Sequence, residues 1–285
     1  MAVKDKHRDA DDNAPHRGVY LLPNLLTTGG LFAGVYSILA SVRGDYWTAA
    51  CAILVANVFD ILDGRVARMT RTTTRFGIEY DSLADVIAFG VAPGILVYTW
   101  ALQQWGTLGW LAASTYVACG ALRLARFNVQ YESSEKRHFL GLPIPAAAEV
   151  IAALVLLYYY FGGEGETHKR ITLLLTTFVL AALMVSNFRY FSFKESELLR
   201  RQPFWSLVAV VVTLALVVAI PQIMLFIGFT VYAVSGPGRW VYVAGKRMWA
   251  RRRGRGDPGA MPPSAGTPPA TPPRPRVVIG GRSDN

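Results

Sequence analysis

The stretch FDILDGRVARMTRTTTRFGIEYDSLADVIAFG, residues 59–90, carries four aspartates where two apolar runs meet an arginine-rich link. Asp60 and Asp63 lie at the end of one run, and Asp81 and Asp85 at the start of the next. On a helix, at about 100° per residue, Asp60 and Asp63 fall about 60° apart, and Gly64, Ala67 and Arg68 share their broad face. Gly77, Asp81 and Asp85 recur every fourth residue and form a second stripe. The link is short enough for the helices to turn back on each other, so the stripes can face. The stretch therefore predicts a helical pair whose carboxylates converge at one end.

Outward from this pair the chain is apolar. Of 285 residues, 52% are hydrophobic and 17% charged. Crossing about 30 Å of hydrocarbon takes roughly 20 apolar residues, and about eight segments approach that length. They are 19–41, 45–64, 82–103, 107–127, 143–162, 170–188, 204–220 and 222–244. Only Pro221 separates the last two, which sets a tight turn there and leaves seven or eight crossings open. The runs are long and do not alternate with period two, and backbone groups cannot go unpaired in lipid, so the spans are helices. The expected fold is all-α, a polytopic membrane helical bundle.

The charge distribution orients the bundle. Of 29 Lys and Arg residues, all but Arg43, Lys169 and Arg170 fall on one side when the N-terminus is placed in the cytosol, as cytoplasmic loops require. The net charge of +10 is thereby explained without nucleic acid. Trp47, Trp100, Trp105 and Trp110 then lie at the outer interface, and Trp205, Trp240 and Trp249 at the inner one. Residues 1–18 read as a cytosolic lead-in, and 250–285, rich in Pro, Gly and Arg, as a disordered, solvated cytosolic tail that helps hold topology, with attraction of Arg251 to Arg255 to anionic headgroups the second reading. The expected location is the cell's inner (plasma) membrane, with both termini cytoplasmic. Two cysteines within apolar runs and four histidines without ligand spacing exclude a disulfide framework and a zinc site.

Four carboxylates at a membrane boundary cannot all stay ionised side by side unless cations neutralise them. One reading is that they pair with Arg65, Arg68, Arg71 and Arg75 as interfacial acids. Two facing stripes with matched glycines favour a site instead, since ionisable residues in membrane segments are functional by default. Oxygen ligands without His or Cys suit hard divalent ions, Mg²⁺ or Mn²⁺, with Ca²⁺ a further candidate. Two such ions about 3.5–4 Å apart are a known device for displacement at phosphorus. Gly64 and Gly77 leave room for a backbone or ligand, and Arg68 offers a planar cation to phosphate oxygens.

The spacing D-x2-D-G-x2-A-R-x8-G-x3-D-x3-D, from Asp60 to Asp85, resembles the signature of the CDP-alcohol phosphotransferase family, membrane enzymes that transfer a substituted phosphate from a CDP-linked donor to an alcohol. The resemblance implies a six-helix catalytic core within residues 19–195, often dimeric, so a homodimer is expected. It implies that Asp60, Asp63, Asp81 and Asp85 hold two divalent ions and that Asp85 also acts as general base. Gly64, Ala67, Arg68 and Gly77 would border the CDP pocket. Residues 196–249 would add two helices outside that core.

Four further stretches, PNLLTTGG (23–30), ALRLARFN (121–128), FLGLPIPAAA (139–148) and VSNFRYFSFK (185–194), resemble the phosphatidylserine synthases of that family. This implies CDP-diacylglycerol and L-serine as substrates, in a membrane of lipids that supply the donor. Arg123 and Arg126 share one face of the fourth crossing, where they would hold the serine carboxylate or snorkel to headgroups as anchors. An arginine pair would equally suit a phosphorylated acceptor, so a sister enzyme using glycerol 3-phosphate or an inositol derivative is the nearest alternative. Asn24, Thr27 and Thr74 would contact the donor's phosphate or ribose, or cap helices. A cation-coupled transporter fits less well, because the acids cluster at one face and no repeat is visible.

Overall fold

The computed structural model describes residues 21–70, 74–132, 141–167, 171–188, 190 and 203–254. The expected N-terminal lead-in and most of the tail lie outside the described residues, as do parts of the arginine-rich links. Among the described residues there are eight helices and no strand. They are α1 (Leu21–Val42), α2 (Tyr46–Thr70), α3 (Arg75–Trp105), α4 (Thr107–Glu132), α5 (Ile144–Tyr160), α6 (Ile171–Val185), α7 (Pro203–Ala219) and α8 (Pro221–Gly254). The stretches Leu22–Val42, Arg75–Trp105 and Thr107–Val129 are long and apolar enough to cross a membrane, and α5 and α6 are shorter apolar helices. This is an all-α membrane helical protein.

Several helices run past the apolar spans read from the sequence. α2 continues from 64 to Thr70, α3 begins at Arg75 rather than 82, and α4 reaches Glu132. Apolarity marks only the part of a helix in hydrocarbon, whereas the backbone ladder continues until something caps it. At α3 that cap is Thr74, whose Oγ1 accepts the Gly77 amide at 3.0 Å. α8 likewise extends to Gly254, past residue 249.

Small residues let the central helices approach closely. Ala49, Ala50, Ile53 and Ala56 of α2 and Ala147, Ala148, Ala152 and Val155 of α5 are buried to 1% exposure or less. α1 packs along α2 and also touches α3, so it bridges both acid-bearing helices. The outward faces are apolar: Phe32, Leu122 and Val179 are all more than half exposed, as a lipid-facing surface requires.

Within α3 the helix widens to a π-helical turn over Val86–Val91, immediately after Asp85, and again over Tyr98–Leu102. Pro93 follows the first turn and has no N–H to give to a carbonyl one turn back. The fully buried Tyr116 of α4 donates its hydroxyl to the Phe89 carbonyl at 3.1 Å, so that acceptor is satisfied from a neighbouring helix. Read from the sequence, 82–103 is one regular span, and neither π turn is anticipated there.

The start of α5 is tied to the end of α6. Gly141 adopts φ +82°, and its amide donates to the Phe188 carbonyl at 2.9 Å while Leu142 N–H donates to Leu183 O at 3.0 Å. A Cβ at Gly141 would collide with the Met184 carbonyl. The chain beyond α6 then meets α8. Tyr190, buried, donates to the Ala233 carbonyl at 3.0 Å, and its ring lies so close to Gly236 that any Cβ there would overlap it. The residues from Tyr242 onward form a separate unit, described as the last part of α8.

Candidate active site

The acids of α2 and α3 meet at the end of the bundle where α2 finishes and α3 begins. One carboxylate oxygen from each of Asp60, Asp63 and Asp81 lies within 4.8 Å of the others. Asp85 is not in that group of three but lines the same small cavity, together with Thr27, Gly30 and Ala84. The cavity has about 10 Å³ of free space, the room one water-sized particle needs. The donor set is entirely oxygen, so by its chemistry the cluster fits a hard divalent cation.

α1 supports this cluster through a row of polar residues. Thr27, buried, donates from Oγ1 to Asp63 Oδ2 at 2.8 Å and is also 3.1 Å from the Pro23 carbonyl. Thr28 lies 2.9 Å from the Tyr80 hydroxyl on α3. Asn24 approaches Gly77 so closely that a Cβ there would stand 3.3 Å from its Oδ1 and 3.1 Å from Thr74 Oγ1. Of the three polar residues expected at the donor site, Thr74 caps α3, and Thr27 reaches the pocket by holding one of its acids.

Side chains on a helix lean toward its N-terminus, which takes Arg68 back over the preceding turn. Its guanidinium covers Gly64, where a Cβ would sit 3.5 Å from one terminal nitrogen, and comes within electrostatic reach of Asp60 and Asp63. A Cβ there would only touch the guanidinium at ordinary van der Waals distance, so Arg68 lies over Gly64 without making glycine a steric requirement. Ala67, on the same helix, is partly buried.

The two arginines of α4 part company. Arg126 donates to Asn187 Oδ1 at 2.9 Å, at the end of α6. Arg123 instead lies within electrostatic reach of Asp85 and of Tyr232 on α8, and its Nε finds no hydrogen-bond partner among the described residues. The two thus engage different neighbours, Arg126 at the end of α6 and Arg123 near Asp85. Ser82 and Asn128 exchange hydrogen bonds at 3.0–3.4 Å and join α3 to α4 at this end. Tyr80, Asn128 and Tyr232 are not singled out by the sequence: Tyr80 sits at an unassigned position between Gly77 and Asp81, Asn128 closes the ALRLARFN stretch without a role of its own, and Tyr232 lies in none of the stretches that carry the resemblance.

A second cavity, of about 480 Å³, lies beside this site, between α2, the start of α5 and α8. A third, of about 450 Å³, lies at the far end of α5 around Tyr158 and Gly163.

Comparison with known proteins defines the class. The family model for CDP-alcohol phosphatidyltransferase matches residues 20–188, more than half of the chain, and the chain belongs to that family. Among curated relatives, it is 39% identical over 244 residues to the CDP-diacylglycerol–serine O-phosphatidyltransferase of Helicobacter pylori (strain ATCC 700392 / 26695), a match covering 84% of this chain and 99% of that one. It is 35% identical over 174 residues to the protein of the same name from Bacillus subtilis (strain 168), covering 61% and 92%. It is 37% identical over 171 residues to the archaetidylserine synthase of Methanothermobacter thermautotrophicus (strain ATCC 29096 / DSM 1053 / JCM 10044 / NBRC 100330 / Delta H), covering 59% and 69%. The first match is too long to be contained in residues 20–188 and takes in part of the chain outside the family core.

Proposed function

We propose that this protein transfers the phosphatidyl group of CDP-diacylglycerol to the hydroxyl of L-serine, giving phosphatidylserine and CMP. The observation that carries this reading is the convergence of Asp60, Asp63 and Asp81 from two helices, with Asp85 on the wall of the same cavity. The family and the names of the relatives supply the donor and the acceptor.

In this reading Asp60, Asp63, Asp81 and Asp85 hold two divalent cations, Mg²⁺ or Mn²⁺, with Ca²⁺ a further candidate. When bound, these cations neutralise the pyrophosphate and stabilise charge on the departing CMP. Arg68 adds a fixed cation at the phosphate oxygens, and its position over Gly64 supports that role. Gly64, Ala67, Gly77, Asn24 and Thr74 border the nucleotide. Thr27 orients Asp63, to which it donates a hydrogen bond. Asp85 accepts the proton of the serine hydroxyl as the new P–O bond forms and the bond to CMP breaks. Arg123, beside Asp85, meets the serine carboxylate, while Arg126, bonded to Asn187, steadies the α4–α6 contact.

The site faces the cytoplasm in the inner membrane, with both termini on that side. The charge asymmetry of the loops supports this orientation. A homodimer is the expected assembly. The core spans 19–195, with α7 and α8 appended and a cytosolic segment at each end.

The test is CMP release by protein purified in detergent with CDP-diacylglycerol, Mn²⁺ or Mg²⁺ and a panel of alcohols. Release with serine alone is expected. Release with glycerol 3-phosphate or an inositol derivative instead would assign a sister activity. No release with any acceptor would return the acids to a transport role.

A further inference from the structure

The 480 Å³ cavity has the size of a small-molecule site, for which about 300–1,000 Å³ is typical, yet the chemistry described above does not use it. Its walls are mostly apolar: Pro145 and Ala146 of α5, and Gly228 and Phe229 of α8. Its two polar side chains, Asn57 and Tyr232, tie it to the acid site. Asn57 is adjacent on α2 to Ala56, which lines the acid cavity, and Tyr232 is within electrostatic reach of Arg123. The cavity near Tyr158 is of similar size, but it lies at the other end of α5 and none of its lining residues comes from α2.

We propose that this cavity receives one acyl chain of the CDP-linked lipid donor, with α8 as its outer wall. The proposal rests on the reading of the acid site as the place where the donor's pyrophosphate binds. A polar acceptor such as serine would leave most of these walls unmatched, whereas a hydrocarbon chain matches them and can run from a headgroup held at the acids. α8 lies outside the family core of residues 20–188, so this wall is supplied from beyond that core. The Tyr190 hydrogen bond to Ala233 holds this helix against the core, which gives the wall a fixed position.

Gly228 gives a direct test, because a Cβ built there meets no atom within 4 Å and a larger side chain can grow into the cavity without displacing the protein. Gly238, on the same helix but not among the cavity's lining residues, is equally open and serves as control. The Gly228→Phe variant should lower the ratio of kcat/KM for dipalmitoyl over dihexanoyl CDP-diacylglycerol by about tenfold, the discrimination expected from excluding two methylene groups. Gly238→Phe should leave that ratio as in the wild type. An unchanged ratio in Gly228→Phe, or an equal fall in both variants, would overturn the proposal. A second measurement needs no turnover: CDP-diacylglycerol with a photoreactive group at its acyl terminus should crosslink to the 224–232 segment, and Gly228→Phe should suppress the yield. Equal crosslinking by a photoreactive phosphatidylcholine would show that the cavity takes bulk lipid and would also overturn it. The wild type's response to serine in the alcohol panel judges the underlying activity separately.

Discussion

At the α2–α3 end, four aspartates from one short stretch, Asp60 to Asp85, reach a single cavity, whereas at the α8 seam Tyr232 meets Tyr190 and approaches Arg123 from far along the chain. The first region concentrates charge and excludes nearly all free space; the second is apolar and encloses about 480 Å³. The contrast separates two tasks. Chemistry at phosphorus needs ligands fixed within a few ångströms, and a helix pair with carboxylates one turn apart provides that locally. Accommodation of a substrate needs volume, which only the packing of distant helices creates.

The largest effect expected from this division is at the acids. Asp60→Asn or Asp81→Asn should remove CMP release with every acceptor, because each deletes a charged oxygen from the converging group. Asp85→Asn should lower turnover by about 10²–10⁴-fold, the usual contribution of a general base, while the protein still binds Mn²⁺. Near-normal rates in all three would dissolve the distinction between the two regions. A smaller and more selective effect is expected between them. Arg123→Ala should raise the KM for serine about tenfold or more, as loss of a charge-assisted hydrogen bond does, with little change in the KM for the lipid. An equal rise in both constants would make Arg123 a structural anchor.

The two regions also differ in how far the sequence disclosed them. Residues three and four apart on a helix must share a face, so the aspartate stripes and the positions of Gly64 and Arg68 could be read directly. The apolar runs gave eight helices in the right order, but not their ends, because Thr74 and the polar last turns of α2 and α4 lie outside any hydrophobic window. At Arg123 and Arg126 the same rule gave a shared face but could not name the protein neighbours, Asn187 for one and the surroundings of Asp85 for the other. Nothing in the sequence connected Tyr232 to Arg123, since periodicity within a helix says nothing of which other helix it meets. Thr27 was visible as a polar residue but its partner, Asp63, was not.

That hydrogen bond allows the comparison to be sharpened within the acid site itself. Thr27→Val keeps the shape of the side chain and removes the donor to Asp63. Loss of a supporting bond to a metal ligand typically costs about 10–100-fold in affinity, so the Mn²⁺ concentration for half-maximal activity should rise about tenfold. The rate at saturating Mn²⁺ should stay close to that of the wild type. A fall in the saturated rate with no change in the Mn²⁺ requirement would move Thr27 from supporting Asp63 to contacting the donor.

The smallest expected effect is on stability at the α8 seam. Gly236 faces the ring of Tyr190 with no room for a Cβ, although it sits inside a helix, where alanine is intrinsically better by about 1 kcal/mol. Overpacking typically costs about 1–3 kcal/mol, so the clash should outweigh the helical gain, and Gly236→Ala should lower the Tm in detergent. The sign should reverse in a Tyr190→Ala background, where the ring is gone and only the propensity gain remains. Such a reversal isolates the contact from general effects on α8, since the two residues couple only if they touch. A similar loss in both backgrounds would mean that Gly236 is needed for some other approach, and that Tyr190 does not fix the helix through this face.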